Sequence, residues 1–418
     1  MEKMNRKLIW AVGLMLTATF ALTSCSDDDD DNRTPEIPVE KSYDAYVVNN
    51  GNWGANDGTI GAIQGVHTDT PSYLDIYKQE NNKGIGDAQD AYITVSADGR
   101  DGLVFVTSTT SSKISVLDTK GKELHVQLLP NVQPRYITGE GSDVYFSAYN
   151  GYVYKMNRDT YRITDSVKVG AYPEAVAIAD GKLYAALSNY DMSGNGKYLA
   201  EVDLKSFKKT KDIEVGLNPY SQMVAVGSKV FFVSNLDYSD NILQMLDAAT
   251  GKVTEIGHGT SIAYDKLNDD IVCVSAVYGH PEYNGIYRYN VSTGKKTDIK
   301  LSQTPGNIGQ VSVSPQSGYL YIVNQSYTGP CELWVYDQYG AFKTKFQSGM
   351  ATQQVIFLRR RLPLPQVYSP AGQTNRSCIA CQGCATPVFV RTGRRAGPGG
   401  WPRRVPQQWA AGRQSVPV

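Results

Sequence analysis

Residues that could perform catalysis or bind a metal are sparse in this sequence and far apart along it. The four histidines, His67, His125, His258 and His280, show no close metal-ligand spacing. No nucleophile elbow, phosphate-binding loop or dinucleotide fingerprint occurs in a supporting context. Residues 237–241 resemble the start of a calcium loop, but the required spacing does not continue. We therefore expect a protein that is not an enzyme and that needs no cofactor or metal.

The chemistry that the sequence does favour is ligand binding by aromatic side chains. Many short polar segments combine an aromatic residue with Asn, Gly or Pro, and an aromatic ring offers a large apolar surface at low entropic cost. For each tyrosine the alternative is that it fills a gap in the core, and for His280 that it is a solvated loop residue. The predicted ligand-contact residues are Trp53, Arg135, Tyr149, Tyr172, Tyr190, Tyr220, Tyr238, Tyr278, His280 and Tyr327.

An internal repeat supplies the elements that must position these residues. Short apolar runs recur at spacings of 39 to 58 residues, and each begins a unit of four short strands joined by Gly- or Asp-rich turns. No sustained helical periodicity follows the first 24 residues. This pattern predicts an all-β fold, a seven-bladed β-propeller. The predicted inner strands A are residues 91–96, 135–139, 174–179, 222–226, 260–264, 309–314 and 351–357.

The two ends of the propeller are predicted to meet in one blade. The first strand, residues 45–49, is a second strand B, whereas the last strand, residues 351–357, is an inner strand A. Pairing them closes the ring and removes an exposed edge. In such a ring the B–C and D–A loops emerge on the same face. These are the loops that carry the aromatic residues, so the sequence predicts one ligand-binding face.

The N-terminus has the features of an exported lipoprotein. Lys3, Arg6 and Lys7 precede an apolar stretch too short for a membrane span, which ends at Cys25 in a lipobox-like segment. We interpret residues 1–24 as a signal peptide and Cys25 as the lipidated residue. Residues 25–42, with five consecutive aspartates, form an acidic tether. The lipid anchor predicts an outer-membrane protein at the cell surface.

The C-terminal residues 358–418 differ from the propeller, residues 43–357. From Arg359 onward there are ten arginines, eight prolines and no acidic residue. Without those ten arginines, the 41 basic residues fall to 31 against 41 acidic ones, a net charge of −10. The acidic body argues against nucleic-acid binding. We interpret the tail as aberrant, and as either disordered or frameshifted. We do not expect its Cys378, Cys381 and Cys384 to bind an iron–sulfur cluster.

One segment carries a family resemblance. Residues 45–58 (AYVVNNGNWGANDG) and 84–90 (GIGDAQD), together with the repeats, resemble YncE-like propellers of Bacteroidetes surface lipoproteins. Within them the chain is similar to the BtuG-type proteins, which capture cobalamin and pass it to a TonB-dependent transporter. The resemblance implies a surface protein that binds cobalamin or a related corrinoid beside such a receptor. It assigns no individual contact residue.

Two other functions stay open at this stage. Aromatic platforms also stack on sugars, so a surface glycan-binding or adhesion propeller is the alternative. A lactonase- or lyase-like propeller would require a cluster of carboxylates or histidines around the central channel. A disulfide between Cys273 and Cys331 is permitted outside the cytoplasm and equally open.

Overall fold

The computed structural model describes residues 43–52, 54–95, 102–236, 240–277, 279–326 and 328–358. Chain contacts define one unit of residues 1–361 and a second of residues 362–418, and the second lies wholly outside the described residues. The signal peptide, Cys25, the tether and nearly all of the C-terminal tail also lie outside them. So do four of the predicted ligand-contact residues, Trp53, Tyr238, Tyr278 and Tyr327.

The architecture is a seven-bladed β-propeller of four-stranded antiparallel sheets, as the repeat predicts. The strands are given blade by blade, from the inner strand A to the outer strand D. Blade 1 consists of β28 (Thr352–Ile356), β1 (Ala45–Asn49), β2 (Thr59–Gln64) and β3 (Ser72–Leu74). Blade 2 consists of β4 (Ala88–Val95), β5 (Gly102–Ser108), β6 (Lys113–Asp118) and β7 (Glu123–Leu128). Blade 3 consists of β8 (Pro134–Glu140), β9 (Asp143–Ala148), β10 (Tyr152–Asn157) and β11 (Ile163–Lys168).

The remaining four blades follow the same plan. Blade 4 consists of β12 (Pro173–Ala179), β13 (Lys182–Leu187), β14 (Tyr198–Asp203) and β15 (Lys208–Glu214). Blade 5 consists of β16 (Val224–Val226), β17 (Lys229–Asn235), β18 (Asn241–Asp247) and β19 (Val253–His258). Blade 6 consists of β20 (Ser261–Asp265), β21 (Asp270–Ser275), β22 (Gly285–Asn290) and β23 (Lys296–Asp298). Blade 7 consists of β24 (Ile308–Val313), β25 (Leu320–Asn324), β26 (Glu332–Tyr336) and β27 (Phe342–Gln347).

The first and last described strands close the ring, which confirms the predicted shared blade. β1 pairs with β28 in antiparallel register, with Val47 opposite Val355. Fully buried Asn49 fastens this junction: its Oδ1 accepts hydrogen bonds from the Thr352 hydroxyl at 2.8 Å and the Gly349 N–H at 3.0 Å. Asn49 therefore adds side-chain hydrogen bonds to the backbone pairing of β1 with β28.

Burial falls from the middle of each blade to its outer edge. Every residue of the second strands β1, β5 and β21 is buried, since neighbouring blades cover both faces of these strands. The fourth strand β11 is exposed at four of its six positions. The hydrophobic core is therefore a series of clusters between adjacent blades. The second strands are continuous apolar runs in the sequence because both of their faces are buried.

The inner strands enclose a central channel that differs along its length. One part is a cavity of about 760 Å³ with a wall of mixed polarity, which includes Ile137, Val176 and Val355. Where the inner strands begin, a second and much smaller space of about 20 Å³ has room for little more than a single water molecule. We call this smaller space the neck, and it is lined mainly by polar side chains.

Three features of the fold add to the sequence predictions. The blade 1 to blade 2 connection contains a short helix, α1 (Ile76–Asn81), capped by the Asp75 carboxylate, which accepts from the Lys78 N–H at 3.1 Å. Six residues are too few for a helical periodicity to be recognised in sequence. A 3₁₀ helix, Pro281–Tyr283, lies in blade 6. Cys273 and Cys331 are both buried free thiols, so the structure contains no disulfide between them.

Candidate functional site

Three of the predicted ligand-contact tyrosines come together on one face of blades 3 and 4. Tyr149 follows β9 in a B–C loop, Tyr172 precedes β12 in a D–A connection, and Tyr190 follows β13 in the next B–C loop. Their ring centroids lie 5.1 Å (Tyr149–Tyr190), 5.2 Å (Tyr172–Tyr190) and 5.8 Å (Tyr149–Tyr172) apart. We call these three residues the tyrosine cluster. Tyr190 is 62% exposed, so the cluster offers an aromatic surface to solvent.

The tyrosine cluster contacts a buried ion pair, Arg135 with Glu174, through Tyr149. Arg135 Nε donates to Glu174 Oε2 at 2.8 Å, and these side chains are only 16% and 5% exposed. The Tyr149 hydroxyl donates to Glu174 Oε1 at 2.6 Å, while the Arg135 guanidinium lies 4.5 Å from the Tyr149 ring centroid. Arg135 also donates to Gln89 Oε1 at 2.9 Å. Arg135 is thus committed to protein partners and acts in this site by holding Tyr149.

The electrostatics of the ion pair follow from burial. Loss of hydration raises the pKa of Glu174, whereas Arg135 and the Tyr149 hydroxyl oppose that rise. Burial works against the charge of Arg135, but the charge and hydrogen bond of Glu174, together with Tyr136 and Tyr149, outweigh it and raise the arginine pKa. The pKa of Tyr149 is raised by burial and by the Glu174 charge. Tyr149 therefore remains a neutral hydrogen-bond donor, and each member of the pair favours the charged form of the other.

Backbone strain marks Tyr172 within the cluster. Its φ is +46°, in the left-handed region that a bulky side chain rarely adopts. The Ser188 N–H and hydroxyl both donate to the Tyr172 carbonyl at 3.1 Å and hold this conformation. Strain of this kind costs about 1–3 kcal/mol and persists where the surroundings over-determine it, commonly at ligand sites.

The polar neck of the channel is a second part of the site, which the sequence-based interpretation missed. Five glutamines from the starts of the inner strands line this end of the channel: Gln89, Gln222, Gln310, Gln353 and Gln354. Gln222 Nε2 donates to Gln354 Oε1 at 3.0 Å, and Gln354 donates in turn to Asp90. We call the five glutamines and Asp90 the amide ring. The available signal was a glutamine at the beginning of several inner strands.

Asp90 is the acidic member of the amide ring. This residue is 7% exposed, and its carboxyl group accepts from the Ile137 N–H at 2.8 Å. Burial raises the pKa of Asp90 to about 7, and the hydrogen bonds and the charge of Arg135 only partly counter it. A perturbed carboxyl group at the narrowest point of a channel is a feature of functional sites.

A third group on the same face contains His280. The Tyr283 ring stacks with the His258 ring at 3.8 Å between centroids and with the His280 ring at 5.1 Å. Each imidazole Nδ1 contacts a carboxylate: His258 with Asp240 at 3.0 Å and His280 with Glu282 at 2.7 Å. We call these three rings the histidine stack. The sequence points to both histidines but not to Tyr283, which joins them.

The structure separates the remaining candidates from these groups. Tyr220 is half-buried and packs against the cluster that contains Phe231 and Val233, so it contributes to the core between blades. His67 stacks edge-on with Tyr319, and His125 lies in the outer strand β7 against Tyr161. Among the described residues, no group of three or more His, Cys, Asp or Glu side chains could hold a metal ion. Within the same residues, no helix is long and apolar enough to cross a bilayer.

Comparisons with known proteins give similarity in fold at low sequence identity. No protein-family model matches the chain. No curated protein matches it either. Among solved structures, hydrazine synthase of Kuenenia stuttgartiensis has a TM-score of 0.47 at 17% identity, over 60% of this chain and 76% of that one. The WD40 β-propeller domain of Doa1 has a TM-score of 0.47 at 12% identity, over 68% and 89%. BamB from Moraxella catarrhalis has 0.44 at 12% identity, over 74% and 84%. These scores carry no functional argument, and the fold rests on the seven sheets described above.

Proposed function

We propose that this chain is a surface lipoprotein that captures a corrinoid, such as cobalamin, on the face formed by its B–C and D–A loops. The observation that carries the proposal is the tyrosine cluster held over the buried Arg135–Glu174 pair. Catalysis is not part of the proposal.

The tyrosine cluster suits a large, flat ligand because part of it is ordered before binding. The Tyr149 ring is held by Glu174 and Arg135, and the backbone of Tyr172 is held by two hydrogen bonds to its carbonyl. A fixed ring loses little entropy when a ligand covers it, so more of the contact energy appears as affinity. Exposed Tyr190 supplies the outermost contact surface.

The amide ring supports a ligand with an amide periphery. A corrinoid is fringed by carboxamide groups, which donate and accept hydrogen bonds, and glutamine side chains can do both in return. The neck is too narrow to admit such a ligand. The corrinoid therefore sits across the mouth of the channel in this proposal, with its edge groups toward the glutamines.

The cellular setting of the proposal rests on sequence features. The lipobox-like segment before Cys25 and the aspartates after it support anchoring in the outer membrane with the propeller outside the cell. A TonB-dependent receptor beside it would receive the ligand. Replacing Cys25 with Ala tests the anchor: the protein should move from the membrane fraction to the soluble fraction.

Calorimetric titration of cobalamin into the purified chain tests the capture function and the face together. Tyr190→Ala should weaken binding about tenfold, the loss expected of an aromatic contact worth about 1.4 kcal/mol. Tyr339→Ala is the matched control, since Tyr339 is 79% exposed but lies in the β26–β27 turn on the opposite face. It should leave the affinity unchanged.

The other outcomes are equally informative. Tight binding that Tyr190→Ala does not change would keep the capture function and reject the tyrosine cluster as its site. The absence of binding heat with cobalamin and with cobinamide would overturn the corrinoid proposal. In that case an oligosaccharide array follows, because stacked tyrosines also suit sugar rings.

A further inference from the structure

We infer that His258 of the histidine stack supplies an axial imidazole ligand to the metal centre of a planar metal macrocycle. The inference deepens the proposed function and rests on it for the identity of the macrocycle, a cobalt corrinoid. It starts from the geometry of the imidazole itself.

In the His258 ring, Nδ1 contacts a carboxylate, whereas Nε2 has no hydrogen bond to the described residues. Nδ1 lies 3.0 Å from Asp240 Oδ1, and the side chain is 38% exposed. Among the described residues, no hydrogen bond joins Nε2 of His258 to the protein. An Nδ1–H held by a carboxylate fixes the tautomer whose Nε2 carries a lone pair. This is the usual arrangement behind a metal-ligating histidine.

The backbone and the neighbouring ring hold His258 in place. As the last residue of β19, it pairs with Ile242 of β18, and its carbonyl accepts from the Tyr287 hydroxyl at 2.8 Å. The Tyr283 ring lies nearly parallel to the imidazole, with 10° between the planes. The imidazole is thus restrained at its backbone, at Nδ1 and on one ring face, as a preorganised ligand must be.

The number of metal-binding side chains near His258 indicates which class of metal ligand could bind there. Among the described residues, no group of three or more His, Cys, Asp or Glu side chains, at His258 or elsewhere, could hold a metal ion. Proteins hold a bare zinc ion with three or four donors. A metal already held by the equatorial nitrogens of a macrocycle needs only one further ligand, and one imidazole is enough.

The same geometry gives the orientation of the macrocycle. A macrocycle bound through Nε2 lies perpendicular to the imidazole plane. Tyr283, nearly parallel to that imidazole, then presents its ring edge to the macrocycle face, which is a favourable aromatic arrangement. In the binding step, the Nε2 lone pair forms a dative bond to Co(III) and the bound water leaves as a neutral molecule. The oxidation state of cobalt does not change.

The test compares aquocobalamin, which has an exchangeable axial water, with cyanocobalamin, in which cyanide occupies that position. Mixing the chain with aquocobalamin should shift its visible absorption to that of an imidazole adduct. His258→Ala should abolish the shift and weaken aquocobalamin binding about tenfold or more, while cyanocobalamin affinity stays unchanged. His67→Ala is the matched control, because His67 is exposed in the β2–β3 connection and lies outside the histidine stack, and it should retain the shift.

Asp240→Asn tests the positioning role of the carboxylate. It should keep the absorption shift but weaken aquocobalamin binding about tenfold, the lower end of the effect of losing a partner behind a metal-bound histidine. His258→Gln, which keeps a polar side chain at the end of β19, separates loss of ligation from loss of folding through its melting temperature.

The failures of the two proposals are distinguishable. Binding heat with aquocobalamin but an unchanged spectrum would overturn axial ligation and leave corrinoid capture standing. A shift that survives His258→Ala would also overturn the assignment to His258. No heat with either corrinoid would overturn the proposed function and this inference together.

Discussion

Replacing Asp90 with Asn should remove a pH dependence of stability that the structure assigns to one carboxyl group. Asp90 is buried in the amide ring, and burial raises its pKa from 3.8 to about 7. The folded state therefore holds a proton more tightly than the unfolded state. The stability contributed by Asp90 is fully present below about pH 4 and is lost as the pH rises through about 7.

The size of the effect follows from the shift. A change of about 3 pKa units corresponds to about 4 kcal/mol over the whole range. In the unfolded state Asp90 is almost fully ionised throughout the range from pH 5 to pH 8, whereas in the folded state it stays protonated until near pH 7. The free energy of unfolding of the wild type should therefore fall by about 2.5 kcal/mol between these two pH values. Asn cannot ionise. The free energy of unfolding of Asp90→Asn, relative to wild type, should therefore rise by that amount between the two pH values.

Urea unfolding at pH 5, 6, 7 and 8 measures this difference. The comparison across pH cancels any constant effect of rearranged hydrogen bonds with Gln354 or the Ile137 N–H. Asp69→Asn is the matched control, because Asp69 is exposed and its removal should leave the pH dependence unchanged. A relative stability of Asp90→Asn that is the same at pH 5 and pH 8 would refute the reasoning.

Three further predictions concern the ion pair, the closure and the tail. Arg135→Met should cost about 3–5 kcal/mol because it leaves the buried Glu174 without its cationic partner. Adding Glu174→Gln should recover part of that loss in urea unfolding, and additive losses would contradict the coupling. Asn49→Ala should cost about 1 kcal/mol or more, since the Gly349 N–H loses its side-chain acceptor while the Thr352 hydroxyl keeps its contact with Ser348. Thermal unfolding with equal stability would contradict the role of Asn49 in closure. A chain that ends at Leu358, just past β28, should keep a single sharp melting transition, and its loss would show that the tail is needed for folding.

The fold was accessible from the sequence because each blade repeats the same local pattern. All seven predicted inner strands correspond to observed ones, with boundary differences such as residues 222–226 against the three-residue β16. The closure was predictable because the first strand, residues 45–49, has the pattern of a second strand B. Its blade therefore lacks an inner strand A, which the last strand of the propeller can supply. The short α1 was not, since a cap and one and a half turns leave no periodic signal.

The candidate site was only partly accessible from the sequence. Aromatic residues in loops of the same type indicate a shared face, which is why Tyr149, Tyr172 and Tyr190 could be proposed together. The role of Arg135 could not be seen, because Glu174 is 39 residues away and only packing of blades 3 and 4 brings the charges together. For the same reason, no sequence pattern showed that Asp90 would lose its hydration or that Tyr172 would adopt a positive φ.

The concentration of polar groups at one mouth of the channel has a physical cause. The inner strands all begin at that mouth, so the side chains at their first positions converge where the channel is narrowest. Polar groups placed there lose water and must find protein partners, or they destabilise the ring. Gln222, Gln354 and Asp90 satisfy one another, and Arg135 satisfies Gln89 and Glu174. These groups are already desolvated and oriented before a ligand arrives. A ligand at this mouth therefore meets fixed donors and acceptors, and its recognition requires little rearrangement of the blades beneath.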